Sequence, residues 1–291
     1  MIRIAVASGK GGTGKTTIAT SLALSINSPD VLFMDCDVEG PNAHFYLEPD
    51  IQQREEVGIL LPQIDESRCT YCRRCAEVCQ FHAIVVIGSQ TLILPELCHG
   101  CGSCTLVCPE NAISEKLDVM GVLEIGPSLS GFPFARGVMN VGEPMAVPVI
   151  RQLKKWATNE VQNGAIIIDT PPGTSCPVVE SLKDVDFVLL VTEPTPFGLH
   201  DLKLAFQMVE ELGMPSGVVI NRDGIGNSPI EEFCSEHGLP ILMRIPFSRQ
   251  FAEILAQGVP LINAFPEYQP VFRDMHQRIQ ALIAEPEEAV L

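Results

Sequence analysis

The stretch Ser8 to Thr17, SGKGGTGKTT, constrains this chain more than any other. It follows an apolar run, Ile2 to Ala7, and precedes a helical pattern, Ile18 to Ile26. Strand, glycine-rich turn and helix in that order make a phosphate-binding loop. Gly9, Gly11, Gly12 and Gly14 let the backbone aim its N–H groups at one point, because residues without Cβ tolerate the dihedrals required. The positive end of the following helix points to the same place. Lys15 would then reach the β- and γ-phosphates and the Thr16 hydroxyl would hold Mg²⁺, with Thr13 and Thr17 in the same cofactor-binding stretch. The spacing predicts a nucleotide-binding protein.

Composition narrows the remaining classes. The net charge is −17, with 19 Lys+Arg against 36 Asp+Glu, which argues against a nucleic-acid surface and against direct binding to an anionic membrane. No run approaches the roughly 18 apolar residues of a membrane span, and the N-terminus enters a strand without a signal-peptide pattern. Eleven cysteines in such a chain suggest metal ligands in a reducing cytoplasm rather than disulfides.

Eight of those cysteines form a repeat. Cys69, Cys72, Cys75 and Cys79 follow C-x2-C-x2-C-x3-C, and Cys98, Cys101, Cys104 and Cys108 repeat the spacing 29 residues later. This is the pattern of a bacterial two-cluster ferredoxin, in which the fourth cysteine of each run serves the other cluster. Cys69, Cys72, Cys75 and Cys108 would bind one [4Fe–4S] cluster, and Cys98, Cys101, Cys104 and Cys79 the other. Zinc is the competing reading, but it needs only four cysteines. Pro109 follows the second run as the pattern expects, whereas Gln80 replaces proline after the first. Ala83 to Ile87 and Thr91 to Leu94 read as a small hairpin between the runs, and an inserted α+β module of about residues 62 to 117 follows.

On either side, apolar strands alternate with helical patterns. Val31 to Met34 ends at Asp35-Cys36-Asp37, and Ala165 to Ile168 ends at Asp169-Thr170-Pro171-Pro172-Gly173. Acidic residues at the ends of buried parallel strands sit where open α/β sheets bind ligands. Val122 to Ile125 reads as a strand, Gly126 to Pro148 as an ordered loop or lid, and Val149 to Glu160 as a helix. Further strands at Phe187 to Val191, Gly217 to Ile220 and Ile241 to Ile245 predict a doubly wound, mainly parallel sheet built from residues 1–61 and 118–291.

GKGGTGKTT resembles the deviant Walker A motif of the MinD/ParA/nitrogenase-iron-protein ATPases. The resemblance implies that Lys10 reaches across a dimer to the partner's nucleotide. It implies that Asp37, in the match to switch I, positions or activates the attacking water near Mg²⁺. Asp169 matches Walker B and would hold the metal, and Gly173 of switch II would offer an N–H near the γ-phosphate. Asn221, with Arg222, Pro246 and Phe247, falls where the family holds adenine. The implied assembly is a nucleotide-sandwich homodimer, or a heterodimer with a paralogue. Catalysis would then rest on Lys10, Lys15 and Asp37, with slow, partner-coupled hydrolysis of ATP.

Three roles fit a switch of this kind. One is ATP-gated electron transfer to a redox partner. A second is assembly or insertion of metal clusters, as in the Mrp-type carriers, although Cys176 and Cys234 stand alone, with no C-terminal C-x-x-C for a labile cluster. A third is spatial positioning through a protein partner. MinD-style membrane docking is not expected, because Gln277 to Leu291 holds Glu285, Glu287 and Glu288 and lacks a basic amphipathic face. The ferredoxin-inserted arrangement is also similar to ATPases of the orange-protein complex. Cys176 lies where the nitrogenase iron protein has a bridging-cluster cysteine, without an evident second counterpart.

Overall fold

The computed structural model describes residues 1–26, 28–161, 163–226 and 229–284. The chain opens with β1 (Ile2–Ala7), α1 (Lys15–Ile26), β2 (Val31–Asp35), α2 (His44–Leu47) and β3 (Gln53–Ile64). Next come α3 (Arg74–Val78), β4 (Ile84–Ile87), β5 (Gln90–Ile93), α4 (Ser103–Leu106), β6 (Ile113–Pro127) and β7 (Pro133–Met139). The strand–helix alternation resumes with α5 (Val147–Ala157), β8 (Ala165–Asp169), α6 (Cys176–Leu182), β9 (Phe187–Thr192) and α7 (Pro196–Glu211). It ends with β10 (Ser216–Asp223), α8 (Ile230–Glu236), β11 (Ile241–Pro246), α9 (Arg249–Leu255), α10 (Leu261–Ala264) and α11 (Tyr268–Ala284).

Nine strands form one sheet in the order β11-β10-β9-β1-β8-β2-β7-β6-β3. The run from β11 to β7 is parallel, while β6 and β3 are added antiparallel. Apolar runs such as Ala165–Ile168 are buried on both faces, which is why they lack the alternation of a half-exposed strand. Ala5, Leu32, Met34, Ile166 and Ile168 face a core shared with α5, α6, α7 and α8. Ile4, Val6, Phe33 and Ile167 face the opposite core, closed by α1, α10 and α11. The doubly wound expectation therefore holds. No helix among the described residues is long and apolar enough to cross a membrane.

Two expectations need correction. Gly126 to Pro148 is not all loop or lid, because Pro133–Met139 forms β7 and pairs parallel with β2 and antiparallel with β6. Its flanking glycines and prolines mark the turns at either end and mask the strand between them. The strand expected at Val122 to Ile125 is only part of β6, whose 15 residues pair with β3 from Gln53↔Ile125 to Ile64↔Ile113. Both ends of the expected 62–117 module thus lie inside one continuous two-stranded ribbon. A bulge at Val57/Gly58 bends it, and Gln152 of α5 donates to the Gly58 carbonyl at 2.8 Å.

Candidate functional site

β1, β2 and β8 end side by side, and their last residues define the site. Gly12 and Gly14 take φ of 79° and 96°, so the loop between β1 and α1 needs glycine at both positions. A Cβ on Gly9 would strike the Asp201 backbone, which shows how closely the loop passes α7. Lys15 is buried and its amine is held below the usual lysine range by that burial, against the opposing pull of Asp169, Asp37 and Asp35. Thr16 Oγ1 donates to Asp169 Oδ2 at 2.6 Å. Asp169 Oδ1 and Thr13 Oγ1 are buried without a hydrogen-bond partner among the described residues.

Those two orphaned oxygens test the fit of a Mg²⁺–nucleotide complex. Three carboxylates face one lysine, and burial raises the carboxyls of Asp35 (to about 7), Asp37 and Asp169. A divalent cation would compensate that excess and satisfy Asp169 Oδ1, and phosphate oxygens would accept from Thr13. The residues present fit the group. Asp35 lies deeper than sequence alone suggests: it is fully buried and accepts the N–H groups of Asp37, Asn42 and Ala43, each at 3.1 Å. It fixes the loop that carries Asp37.

Gly173, expected near the γ-phosphate, donates its N–H to the Ser8 carbonyl of the phosphate loop at 3.0 Å. Asn221, Arg222, Pro246 and Phe247 do come together, lining one cavity with Gly14 and Thr17. Asn221 also has a role the spacing did not reveal: Nδ2 donates to the Thr13 carbonyl at 2.7 Å and braces the loop. Lys10 is held within its own chain, with Nζ 2.6 Å from Glu193 Oε1. Arg222 Nη1 lies 3.0 Å from the other oxygen of the same carboxylate. Burial works to raise the Glu193 carboxyl, and the two cations outweigh it and keep it below its usual range. No motif marks Glu193; it stands beyond β9, distant in sequence from both partners.

The eight motif cysteines enclose two cavities. Cys69, Cys72, Cys75 and Cys108 line one, and Cys79, Cys98, Cys101 and Cys104 line the other. The backbone around them repeats at the cysteine interval: Tyr71, Arg73 and His82 have positive φ, as do Gly100, Gly102 and Asn111, each 29 residues on. Two of these positions are glycine in the second half, whereas Tyr71 and Arg73 bear the cost of about 1 kcal/mol of a left-handed side-chain residue. The amides of Ala83 and Ala112 donate to Cys79 Sγ and Cys108 Sγ, both at 3.3 Å.

Among the described residues, no three His, Cys, Asp or Glu side chains are set for a single metal ion. Four thiols around a common space fit a polynuclear cluster better than one zinc with Zn–S of about 2.3 Å. The second cavity touches Leu60 and Pro62 of β3 and the first touches Ile64, so they follow one another outward along the ribbon. Of the remaining cysteines, Cys36 and Cys234 are buried and Cys176 is exposed. Burial pushes the thiols of Cys36 and Cys234 up, the latter to about 11.

The family model described as the CobQ/CobB/MinD/ParA nucleotide binding domain matches residues 4–261. The chain belongs to that family. An uncharacterised protein of Methanocaldococcus jannaschii is 33% identical over 261 residues, covering 89% of this chain and 90% of the relative. The iron-sulfur cluster carrier protein of the same organism is 24% identical over 303 residues, covering 96% and 85%. Among solved structures, the cell division ATPase MinD of Pyrococcus furiosus is similar in fold, with TM-score 0.58, 20% identity, and coverage of 97% and 99%. A P-loop nucleotide-binding domain of the MinD/ParA type is therefore the framework on which the two cysteine-lined cavities are mounted.

Proposed function

We propose that this chain is an ATP-binding and ATP-hydrolysing switch that carries two [4Fe–4S] clusters and couples nucleotide-dependent dimerisation to electron transfer with a protein partner. The observation that carries the proposal is the ribbon. It joins the sheet that bears the phosphate loop directly to both four-cysteine cavities. The module of about residues 62–117 thereby becomes an extension of the ATPase sheet rather than a loosely tethered passenger.

In this reading the loop from Gly9 to Thr17 cradles the phosphates, and Lys15 neutralises them. Thr16 and Asp169 hold Mg²⁺, and Asp37, fixed by Asp35, orients the attacking water. Asn221, Arg222, Pro246 and Phe247 enclose adenine. Lys10 must leave Glu193 before it can contact a partner's nucleotide, so the pair opposes dimerisation until ATP is present. The two clusters, once bound, supply one-electron redox chemistry. Four thiols per cavity would hold each of them, and the ribbon would keep them in line with the sheet.

A second reading, cluster assembly or delivery, is favoured by the relatives named iron-sulfur cluster carrier protein. Against it, all eight motif cysteines are committed to the two cavities. Among the described residues, Cys176 is the only other exposed cysteine.

An anaerobic redox titration followed by electron paramagnetic resonance, with and without MgATP, tests the coupling. The expected result is a nucleotide-dependent shift of about 30 mV or more, about 0.7 kcal/mol for one electron, which is absent in Lys15→Ala. Potentials that ignore nucleotide while iron and sulfide pass to an apo-protein would overturn electron transfer in favour of delivery.

A further inference from the structure

A cavity of about 390 Å³ lies between α5 and α6, over β8. It is separate from the nucleotide site. Arg3, near the start of β1, forms part of its wall, whereas the phosphate loop leaves the far end of that strand at Ala7, roughly 13 Å away. Met34, Ile166 and Ile168 lie beneath the cavity, each only about 1% exposed. The rim is cationic: Arg3, Arg151, Lys154, Lys155 and Lys183 face only Glu180 and Asp184, an excess of three positive charges. That excess stands out in a chain whose net charge is −17.

Four of the five cations are held in place rather than free to collapse. Arg151 grips Glu180 with Nε at 2.9 Å and Nη2 at 3.2 Å, and Lys183 Nζ lies 2.7 Å from Glu180 Oε2. Lys154 Nζ donates to the carbonyls of Glu180, Ser181 and Lys183 at the end of α6. Arg3 Nη1 donates to the Asp184 carbonyl at 3.1 Å. A guanidinium has five N–H donors, so both arginines retain donors for a ligand. Thr158 and Asn159 add neutral polar groups to the wall.

We propose that this cavity is a second ligand site, for a small organic anion with a phosphate or carboxylate head. A volume of several hundred cubic ångströms and a few convergent charges are what a small-molecule site requires. Preset cations bind an anion without the ordering cost that free lysines would impose.

Phenyl phosphate titrated calorimetrically into the cluster-loaded protein, saturated with MgADP to block the phosphate loop, tests the site. Methyl resonances of Met34, Ile166 and Ile168 are followed in parallel, and benzoate replaces phenyl phosphate in a second arm. The expected result is one saturable event that shifts these methyls, weakened at least tenfold by Lys155→Glu and unchanged by the remote Lys203→Glu. The tighter of the two probes identifies the head group. Absence of saturable binding by both probes, methyls that do not respond, or equal affinity in Lys155→Glu would each overturn the proposal.

Discussion

Replacing Asp35 with asparagine probes how the switch loop is held. Oδ2 accepts the N–H groups of Asn42 and Ala43, and Oδ1 accepts that of Asp37. An asparagine has one carbonyl oxygen. Its best orientation keeps the first two bonds and turns an NH2 group against the Asp37 N–H. One buried donor is orphaned, at a cost of about 1–3 kcal/mol. Part of this is offset, because burial already raises the Asp35 carboxyl to about 7 and a neutral amide avoids the buried charge. The net loss should be about 1 kcal/mol in urea unfolding, concentrated in the Asp37–Ala43 loop. Hydrogen exchange at the Asp37 amide should accelerate about 5- to 10-fold, since ~1.4 kcal/mol corresponds to tenfold in an opening equilibrium. Hydrolysis should fall roughly 10- to 100-fold through misplacement of Asp37, while MgADP affinity changes far less. Wild-type exchange at Asp37 together with wild-type turnover would refute the reasoning.

Glu180 is held at about 2 chiefly by its hydrogen bonds to Arg151 and, second, Lys183, against burial, which raises it. A carboxylate lowered on folding stabilises above its unfolded value of about 4.5, and that contribution fades as pH falls toward 2. Both cations are more than half exposed, so solvent screening leaves about 1–2 kcal/mol. Glu180→Gln should lose that amount at pH 7 and progressively less below pH 4.5, read from Trp156 fluorescence in urea. Asn221→Ala removes the brace on the Thr13 carbonyl and should weaken MgADP binding by about 5- to 10-fold, or ~1 kcal/mol, in calorimetric titration. Cys108→Ala should abolish the same paramagnetic signal as Cys69→Ala, and Cys79→Ala the same as Cys98→Ala, each leaving roughly half the iron; the opposite pairing would reverse the ligand sets. Glu193→Gln frees Lys10 and Arg222, and the ATP-dependent dimer should then form at severalfold lower protein concentration in sedimentation.

Local spacing exposed the parts of this molecule whose chemistry depends on neighbours in sequence. Gly12 and Gly14 serve a loop seven residues long, Asp169 follows its own apolar strand, and the first three cysteines of each run line the same cavity. What spacing missed depends on distant partners. Glu193 acquires its meaning only when Lys10 is brought to it, and the Asn221 amide reaches a carbonyl 208 residues away. β3 begins with Gln53, Arg54, Glu55 and Glu56, all exposed, so no apolar alternation marks it. Its existence follows from the partner strand β6 rather than from its own pattern. β7 begins with Pro133 and is interrupted by Gly137, residues that read as turn from sequence; a Cβ at Gly137 would crowd Val38 and Val149.

Ile64 and Ile113 face each other as the last pair of the β3–β6 ribbon. Everything between them leaves and re-enters across a gap of about 5 Å. A tight turn could replace residues 65–112 and leave the nine-stranded sheet with an ordinary hairpin at its edge. Equally, a foreign domain whose ends lie that close could be spliced into the same gap and inherit a stiff mount beside the nucleotide site. The end of the ribbon is a socket, and its present occupant is one of many that the sheet could accept without refolding.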